Sequence, residues 1–365
     1  MSVSFWYRVK ERQLSDIEYD RACYHMQRHG NTHMARVLLP VDNQECSQAA
    51  ILSVLARRWP PDTVFRLCKV VEELHLIPSI QALGMDHVEI LKDEQESYGY
   101  ESRLWLNQLT DKFQSVFPDS DSCIRSGQVV EKLVEEVYNW SADYIVLGSQ
   151  DLGLTIRCAL GSVTASLLKQ APCSVEAVRS RTLRKHLHEN GQLTEKEIEE
   201  LVVSPPKRIV LATDLSQGAD AAIDWLVSMH WPADAQFRVA TVTTPMHKEQ
   251  HANWFQVGSA YTREKFHVQQ IEKLLKEHAH KVAQTFGTDR VEADVITDES
   301  AAEGIYALTE NWEADLVVAG CRGLNRNPDF RTGTTAVSIL ERIHCSMIAI
   351  QPMGENQIKF DWHSN

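Results

Sequence analysis

The residues best suited to do chemistry lie in a glycine-rich segment of the second half of the chain. Gly320-Cys-Arg-Gly323 is followed by nine residues and then by Gly333-Thr334-Thr335. The segment opens after the apolar run ADLVVA and ends where TTAVSILERI has the apolar spacing of a helix. Glycine allows close backbone approach, and helix N-terminal amides can bind phosphate oxygens. Because parallel strands present their carboxyl ends to ligands, the segment predicts a phosphate-binding loop at that edge.

The skeleton that carries this segment occurs twice. Six residues recur at an offset of 172 positions: Asp42, Trp59, Asp143, Gly148, Gly161 and Cys173 return as Asp214, Trp231, Asp315, Gly320, Gly333 and Cys345. The offset is the same at the first and last predicted strands, which indicates duplication of a complete unit. We therefore predict two domains, at 34–179 and 207–352. An extension (1–33) precedes them, a linker (180–206) joins them and a tail (353–365) follows.

Each half alternates short apolar strands with amphipathic helices. The strands of the first half are predicted at 35–41, 64–71, 123–125, 143–148 and 174–178, and its helices at 47–58, 97–115, 127–140 and 161–170. Those of the second half are predicted at 208–213, 237–242, 291–297, 314–320 and 346–351, with helices at 217–229, 262–286, 301–312 and 333–342. Continuous apolar strands separated by helices are typical of a parallel sheet covered on both faces. The predicted fold class is α/β.

The motif and its context resemble the universal stress protein family. The shared pattern is G-x-x-G, nine residues and G-[S/T] after the fourth strand, together with the ends of strand one, Leu-Ala-Thr213-Asp214 and Leu-Pro-Val41-Asp42. The resemblance covers about residues 34–179 and 206–352. It implies, in each half, an open five-stranded parallel sheet of the adenine-nucleotide α-hydrolase-like (Rossmann-like) type with helices on both faces.

The resemblance also implies a ligand, ATP, and the residues that hold it. Thr213 and Asp214 would face the adenine and ribose, with Val242 beside the base. The residues expected around the ribose and phosphates are Gly320, Arg322, Gly323, Gly333, Thr334 and Thr335. The corresponding first-half candidates are Val41, Asp42, Val70, Gly148, Gly161, Ser162 and Val163.

The first half departs from this motif. Asp151 stands where the second glycine belongs, and its carboxylate would repel a phosphate that lies close to it. Gly153 could let the loop re-form in a shifted register, and Mg²⁺ could bridge the carboxylate to a phosphate. We therefore expect the nucleotide mainly in the second half.

Purely structural roles stay open for several of these residues. Asp42 and Asp214 could be helix N-caps, and Gly161-Ser162 and Gly333-Thr334 could be simple caps or turns. The paired tryptophans are interpreted as helix ends packed under the sheet: Trp59 and Trp231.

The histidines give no supported metal pattern. His25 and His29 could share a helical face with Cys23, but Gly30 interrupts the helix, so a solvated extension is favoured over a zinc site. The histidines of the long second-half helix are also interpreted as solvated: His267, His278 and His280.

Composition limits the partners. The net charge of −13 and the absence of a basic patch argue against nucleic acid and acidic membranes. Eight cysteines without a CxxC pair fit a reducing cytosol. The N-terminus has no apolar signal-like region, and charges interrupt every apolar run. We therefore expect a soluble, cytoplasmic protein.

Three classes of function remain. A nucleotide-binding stress-response regulator ranks first, and a non-nucleotide scaffold that binds an apolar ligand or a protein partner ranks second. An enzyme ranks third, because the candidate acids expected beside the glycine-rich segment are Asp214 and Asp329, and no triad or acid pair accompanies them. Slow ATP hydrolysis stays open.

The resemblance also bears on assembly, because single-domain members commonly dimerise through their last strand. A tandem chain can make that contact internally, and an unpaired edge strand would otherwise expose backbone groups. We therefore predict that strands 174–178 and 346–351 pair with each other as an intramolecular pseudo-dimer, with a further homodimer left open.

Overall fold

The computed structural model describes residues 35–60, 62–72, 85–149, 161–179, 205–244, 254–321 and 334–351. The histidines of the N-terminal extension and the linker at 180–204 lie outside these ranges. None of the helices in these ranges is long and apolar enough to cross a membrane.

The elements follow the predicted order. The first half contains β1 (Arg36–Pro40), α1 (Glu45–Ala56), β2 (Val64–Val71), α2 (Met85–Gln114), β3 (Asp121–Ser126), α3 (Val129–Trp140), β4 (Tyr144–Ser149), α4 (Ser162–Gln170) and β5 (Ser174–Arg179). The second half contains β6 (Arg208–Ala212), α5 (Gln217–Ser228), β7 (Gln236–Thr243), α6 (Trp254–Phe286), a short 3-10 turn (Thr288–Arg290), β8 (Val291–Thr297), α7 (Ala301–Trp312), β9 (Leu316–Gly320), α8 (Thr334–Leu340) and β10 (Ser346–Ile350).

Two helices are longer than predicted. Helix α2 starts at Met85 and α6 at Trp254, well before the predicted starts at 97 and 262. The added part of α2 is rich in Glu, Leu, Lys and Gln, which favour helix even where apolar periodicity is weak. Propensity therefore extends a helix that the apolar pattern alone would shorten.

All ten strands form one sheet in the order β3-β2-β1-β4-β5-β10-β9-β6-β7-β8. Every pairing is parallel except β5 with β10, which is antiparallel. At that junction Met347 pairs with Ala177 and Ala349 with Val175. The predicted pairing of the two last strands is thus confirmed, and it joins the two five-stranded sheets edge to edge.

Helices cover both faces of the sheet, as a buried parallel sheet requires. One apolar core packs α1, α2, α5 and α6 against one face, and a second packs α3, α4, α7 and α8 against the other. Each core contains residues from both halves.

The repeated tryptophans and aspartates hold equivalent positions. Trp59 and Trp231 are both buried and donate their indole N–H to a carbonyl near the end of the preceding helix, which confirms the packing role expected of them. Asp143 accepts the N–H of Arg36, and Asp315 accepts the N–H of Arg208, so each aspartate fixes the start of the first strand in its half.

The sequence offset is not constant through the third strand. Arg66 pairs with Asp121, whereas Arg238 pairs with Glu292, so the structural offset is 172 in β2 and β7 but 171 in β3 and β8. Compared with the first half, the second half has one residue fewer before this strand. It has one residue more between the strand and the following helix. The prediction of one offset for every element is therefore wrong at this strand.

Candidate functional site

Each half has a point where its chain changes direction across the sheet. From β6 the chain runs outward through β7 and β8, then returns to place β9 and β10 on the other side of β6. In parallel sheets ligands bind in the crevice at the carboxyl ends of the two strands that flank such a switch point. The second-half crevice lies between β6 and β9, and the first-half crevice between β1 and β4.

The second-half candidates after strand one lie at this crevice. Thr213 follows β6, whose last residue Ala212 pairs with Ala319 of β9. Thr213 is buried and Asp214 is exposed. The Asp214 Oδ1 accepts the N–H of Ser216 at 3.1 Å. This turn holds the carboxylate at the edge of the sheet, where a polar ligand could reach it.

These aspartates are not helix N-caps. Helix α5 begins at Gln217 with Ser216 as its N-cap, and α1 begins at Glu45 with Gln44 as its N-cap. Asp214 and Asp42 each accept an N–H two residues on, which is an Asx turn ahead of the helix. The N-cap interpretation is therefore wrong by two positions in both halves, because the chain needs a turn between strand and helix.

His278 of α6 is a buried neighbour of the site and not a solvated residue. Its exposed fraction is 9%, and its Nδ1 lies 3.2 Å from the Thr213 Oγ1. The Thr213 oxygen accepts the N–H of Leu215, so its own proton is available to His278 Nδ1. The interpretation of His278 as solvated is corrected because α6 turns this residue toward the sheet, whereas His280 is exposed as expected.

The remaining described second-half candidates occupy different surroundings. Val242, near the end of β7, is half-buried and packs against the second core, close to Gly304 of α7. Gly320 ends β9, and Thr334 and Thr335 are exposed at the start of α8. Arg322, Gly323 and Gly333 lie outside the described residues.

In the first half the helix after strand one packs closely on the motif glycine. A Cβ added to Gly148 would lie 1.9 Å from the carbonyl oxygen of Cys46, at the start of α1. Val41 is buried, and the Asp42 N–H donates to Ser47 Oγ at 2.9 Å. Packing of α1 onto the end of β4 thus accounts for glycine at this position.

The other first-half candidates form the start of α4 and the end of β2. Gly161 is the N-cap of α4, as the simple capping interpretation predicts, and it is followed by exposed Ser162 and half-buried Val163. Val70 is half-buried against the second core. Asp151 and Gly153 lie outside the described residues.

Sequence analysis did not single out one buried lysine of the first half. Lys69 of β2 is 5% exposed, and its ammonium lies 6.0 Å from the ring centroid of Tyr98 and 5.8 Å from that of Trp105. The equivalent second-half residue, Thr241, is also buried. A lysine that interrupts the apolar run VFRLCKVV is the signal that could have revealed it.

The described ranges contain no group of three or more His, Cys, Asp or Glu side chains arranged to hold a metal ion. The suggested cluster of Cys23, His25 and His29 falls outside those ranges.

Comparison with known proteins agrees with the fold. The model of the universal stress protein family matches residues 34–179 and again residues 205–351. A universal stress protein of Synechocystis is 25% identical over 154 residues, which cover 40% of this chain and 97% of that protein.

A solved structure shares this architecture. A universal stress protein from Archaeoglobus fulgidus aligns with a TM-score of 0.55 at 15% identity, covering 87% of this chain and 99% of its own. A universal stress protein solved in complex with cAMP aligns with 40% of this chain and 98% of its own, at 18% identity and a TM-score of 0.30. Because the family model matches most of the sequence in two copies, the chain belongs to the universal stress protein family, as a tandem member with two such domains.

Proposed function

We propose that this stress-response protein binds an adenine nucleotide, ATP, mainly in its second half. The observation that carries the proposal is the convergence of Thr213, Asp214 and Gly320 on one switch-point crevice, between β6 and β9. The end of strand one and the start of the glycine-rich segment thus lie at the same edge of the sheet, although they are far apart in sequence. That edge is where open parallel sheets bind nucleotides.

The chemistry of the described residues fits such a ligand. Asp214 offers an exposed carboxylate that can accept hydrogen bonds from ribose hydroxyls. Thr334 and Thr335 add exposed hydroxyls at the start of α8, which follows the glycine-rich segment. Mg²⁺ would be held chiefly by the nucleotide phosphates, since this ion usually keeps several waters and few protein ligands.

The first half is the poorer candidate. Asp151 would place negative charge beside a phosphate, where the second half has Gly323. We therefore expect one nucleotide per chain.

Two matched variants test this assignment. Asp214→Ala and Asp42→Ala each remove the equivalent Asx-turn hydrogen bond, so Asp42→Ala is the matched control. If Asp214 holds ribose, its loss removes a charged hydrogen bond worth about 1.5–3 kcal/mol, and ATP affinity falls roughly 10- to 100-fold. Asp42→Ala should leave the affinity unchanged. Calorimetric titration with ATP and Mg²⁺ measures both variants.

A second measurement identifies the natural ligand. The purified full chain is denatured and its released small molecules are identified, with about one adenine nucleotide per chain expected. Protein that releases no nucleotide and shows no thermal shift with ATP and Mg²⁺ would contradict the proposal. Release of an apolar molecule would instead support the scaffold alternative.

A further inference from the structure

Two cysteines face each other across the outer strands of the first half. Cys68 of β2 and Cys123 of β3 are direct partners in the parallel register. Both side chains lie on the face covered by α3 and α4, because Cys68 belongs to the second core and Cys123 packs against it. Register partners on neighbouring strands project to the same face of a sheet, so the two thiols are neighbours.

The spacing of the two residues suits a disulfide. Neighbouring strands lie about 4.7–4.9 Å apart, within the range of about 4.4–6.8 Å between Cα atoms that a disulfide spans. Strand β3 is the outermost strand of the sheet, so it can adjust without breaking a second strand pairing. This freedom would allow the shorter Cβ separation that the bond needs.

The two thiols differ in exposure. Cys68 is 1% exposed, whereas Cys123 is half-buried and so more accessible to a small oxidant. Interaction with Cys68 lowers the pKa of the Cys123 thiol, and Arg125 and Arg66 act in the same direction against burial and Glu136. The pKa of Cys68 is raised by the interaction with Cys123 and by burial. Cys123 is therefore the better nucleophile of the pair.

We propose that Cys68 and Cys123 form a reversible redox dithiol that reacts with peroxide. The Cys123 thiolate attacks one oxygen of hydrogen peroxide, the O–O bond breaks, and the departing hydroxide takes a proton to become water. Cys68 then attacks the sulfur of the Cys123 sulfenic acid, its S–H proton leaves with the displaced hydroxide as a second water, and the disulfide forms. Two thiols and one peroxide become one disulfide and two waters.

A backbone hydrogen bond connects this pair to the strand end at the first-half crevice. The carbonyl of Cys68 accepts the N–H of Val41 at 2.9 Å, directly at the end of β1. The second half has no such pair, because Ala240 and Asp294 occupy the equivalent paired positions. A disulfide between these two strands can thus form in the first half but not at the equivalent positions of the second half.

The test uses the reduced full chain and hydrogen peroxide. We expect the intact mass to fall by two hydrogens, a non-reducing peptide map to show Cys68 linked to Cys123, and dithiothreitol to restore the reduced mass. A map that links other cysteines, or that shows Cys123 over-oxidised with no linked peptide, would overturn the proposal. This measurement needs no variant, so it holds even if a substitution impairs folding.

Single variants assign the two roles. Cys68→Ser keeps a donor group beside the Cys123 thiolate but cannot form a disulfide, so the Cys123 sulfenic acid stays unresolved and labelling by dimedone, which reacts with sulfenic acids, increases several-fold. Cys123→Ala should abolish both the label and the linked peptide. Cys46→Ala, which removes another half-buried thiol of the same half, serves as the control and should behave like the parent chain. Dimedone labelling that persists at the same level in Cys123→Ala would refute the assigned order.

Discussion

The two halves meet edge to edge, but they bring unlike side chains to the same junction. Glu176 of β5 lies directly opposite Ile348 of β10 in the antiparallel register. These residues are equivalent in the repeat, so the junction is symmetric in backbone and asymmetric in chemistry. The duplicated units have diverged at the surface that joins them.

On the first-half side a buried polar network surrounds Glu176. The Arg57 Nη1 donates to Glu176 Oε2 at 2.6 Å, and the Arg57 Nη2 donates to Glu176 Oε1. Tyr144 OH donates to the same carboxylate at 2.8 Å, and Ser53 Oγ at 3.2 Å. Arg57 and Glu176 are nearly inaccessible to water, with 3% and 0% of their side chains exposed.

The second half places apolar residues at the equivalent positions: Trp225, Met229, Leu316 and Ile348. Trp225 stacks on Tyr144 with ring centroids 6.0 Å apart and planes 10° from parallel. The second half therefore helps to cover the charged network with apolar side chains. The first half supplies the charged side chains of the junction, and the second half supplies the apolar ones.

This difference shows how a tandem chain can favour one pairing over another. Two copies of the first half joined in the same way would place one Glu176 against another, and like charges directly opposite are destabilising. A charged half and an apolar half avoid that contact. The asymmetry thus favours pairing between the halves over pairing of first halves from two chains.

The largest expected loss of stability comes from removing one charge of this buried network. Glu176→Ala leaves the Arg57 guanidinium buried beside the apolar side of the junction. Breaking a buried ion pair from one side costs about 3–5 kcal/mol, so we expect a loss of that size in the free energy of unfolding. Denaturant unfolding followed by circular dichroism measures it.

The control copies the second half into the first. In the triple variant Arg57→Met, Tyr144→Leu and Glu176→Ile, no buried charge is left without its partner, and replacing a buried ion pair by apolar residues is often nearly neutral. The triple variant should therefore be more stable than Glu176→Ala despite its larger number of changes. An equal or greater loss would show that packing, and not charge, determines the junction.

A smaller effect separates the two motif glycines of the first half. Gly148→Ala forces a methyl group into the Cys46 carbonyl, and such overpacking typically costs about 1–3 kcal/mol. Gly161→Ala meets nothing nearer than the Thr164 Oγ1 at 3.9 Å, so only the weaker N-cap propensity of alanine remains, about 1 kcal/mol at most. Thermal unfolding of both variants compares them. Equal losses would contradict a packing role for Gly148.

Much of this architecture follows from sequence because most strands are short apolar runs and most helices are amphipathic. The pairing of the last strands also follows, since duplication supplies two equivalent edges. The Asx turns at Asp42 and Asp214 do not follow, because aspartate before a helix fits a turn as well as a cap. The network around Glu176 was also out of reach, since Ser53, Arg57 and Tyr144 are brought to it only by tertiary packing.

The contact that His278 makes at the candidate site was also not predictable from sequence. Its position on the inner side of α6 depends on how the helix packs against Thr213, and the sequence of α6 places histidines on several faces. In the first half the equivalent positions hold Val41 and Leu109, both buried in an apolar core. The halves therefore differ at this contact as well, with a polar pair in one and an apolar pair in the other.

The smallest predicted effect concerns pH at this contact. Burial lowers the pKa of His278, Lys281 acts in the same direction, and Asp220, Glu277 and Asp214 oppose it. The folded chain thus binds this proton less readily than the unfolded chain, in which histidine has a pKa of about 6.5. The contribution to stability is complete above about pH 6.5 and is lost as pH falls through the window between that value and the lower folded pKa.

The double variant Thr213→Val and His278→Leu copies the first-half pair and removes this titration. We expect the free energy of unfolding, measured without nucleotide, to fall less between pH 7 and pH 5 in the double variant than in the parent chain. His280→Leu removes an exposed histidine of the same helix and should keep the parent's pH dependence. If the double variant also keeps it, the acid sensitivity belongs to other groups, and the Thr213–His278 contact distinguishes the halves in packing only.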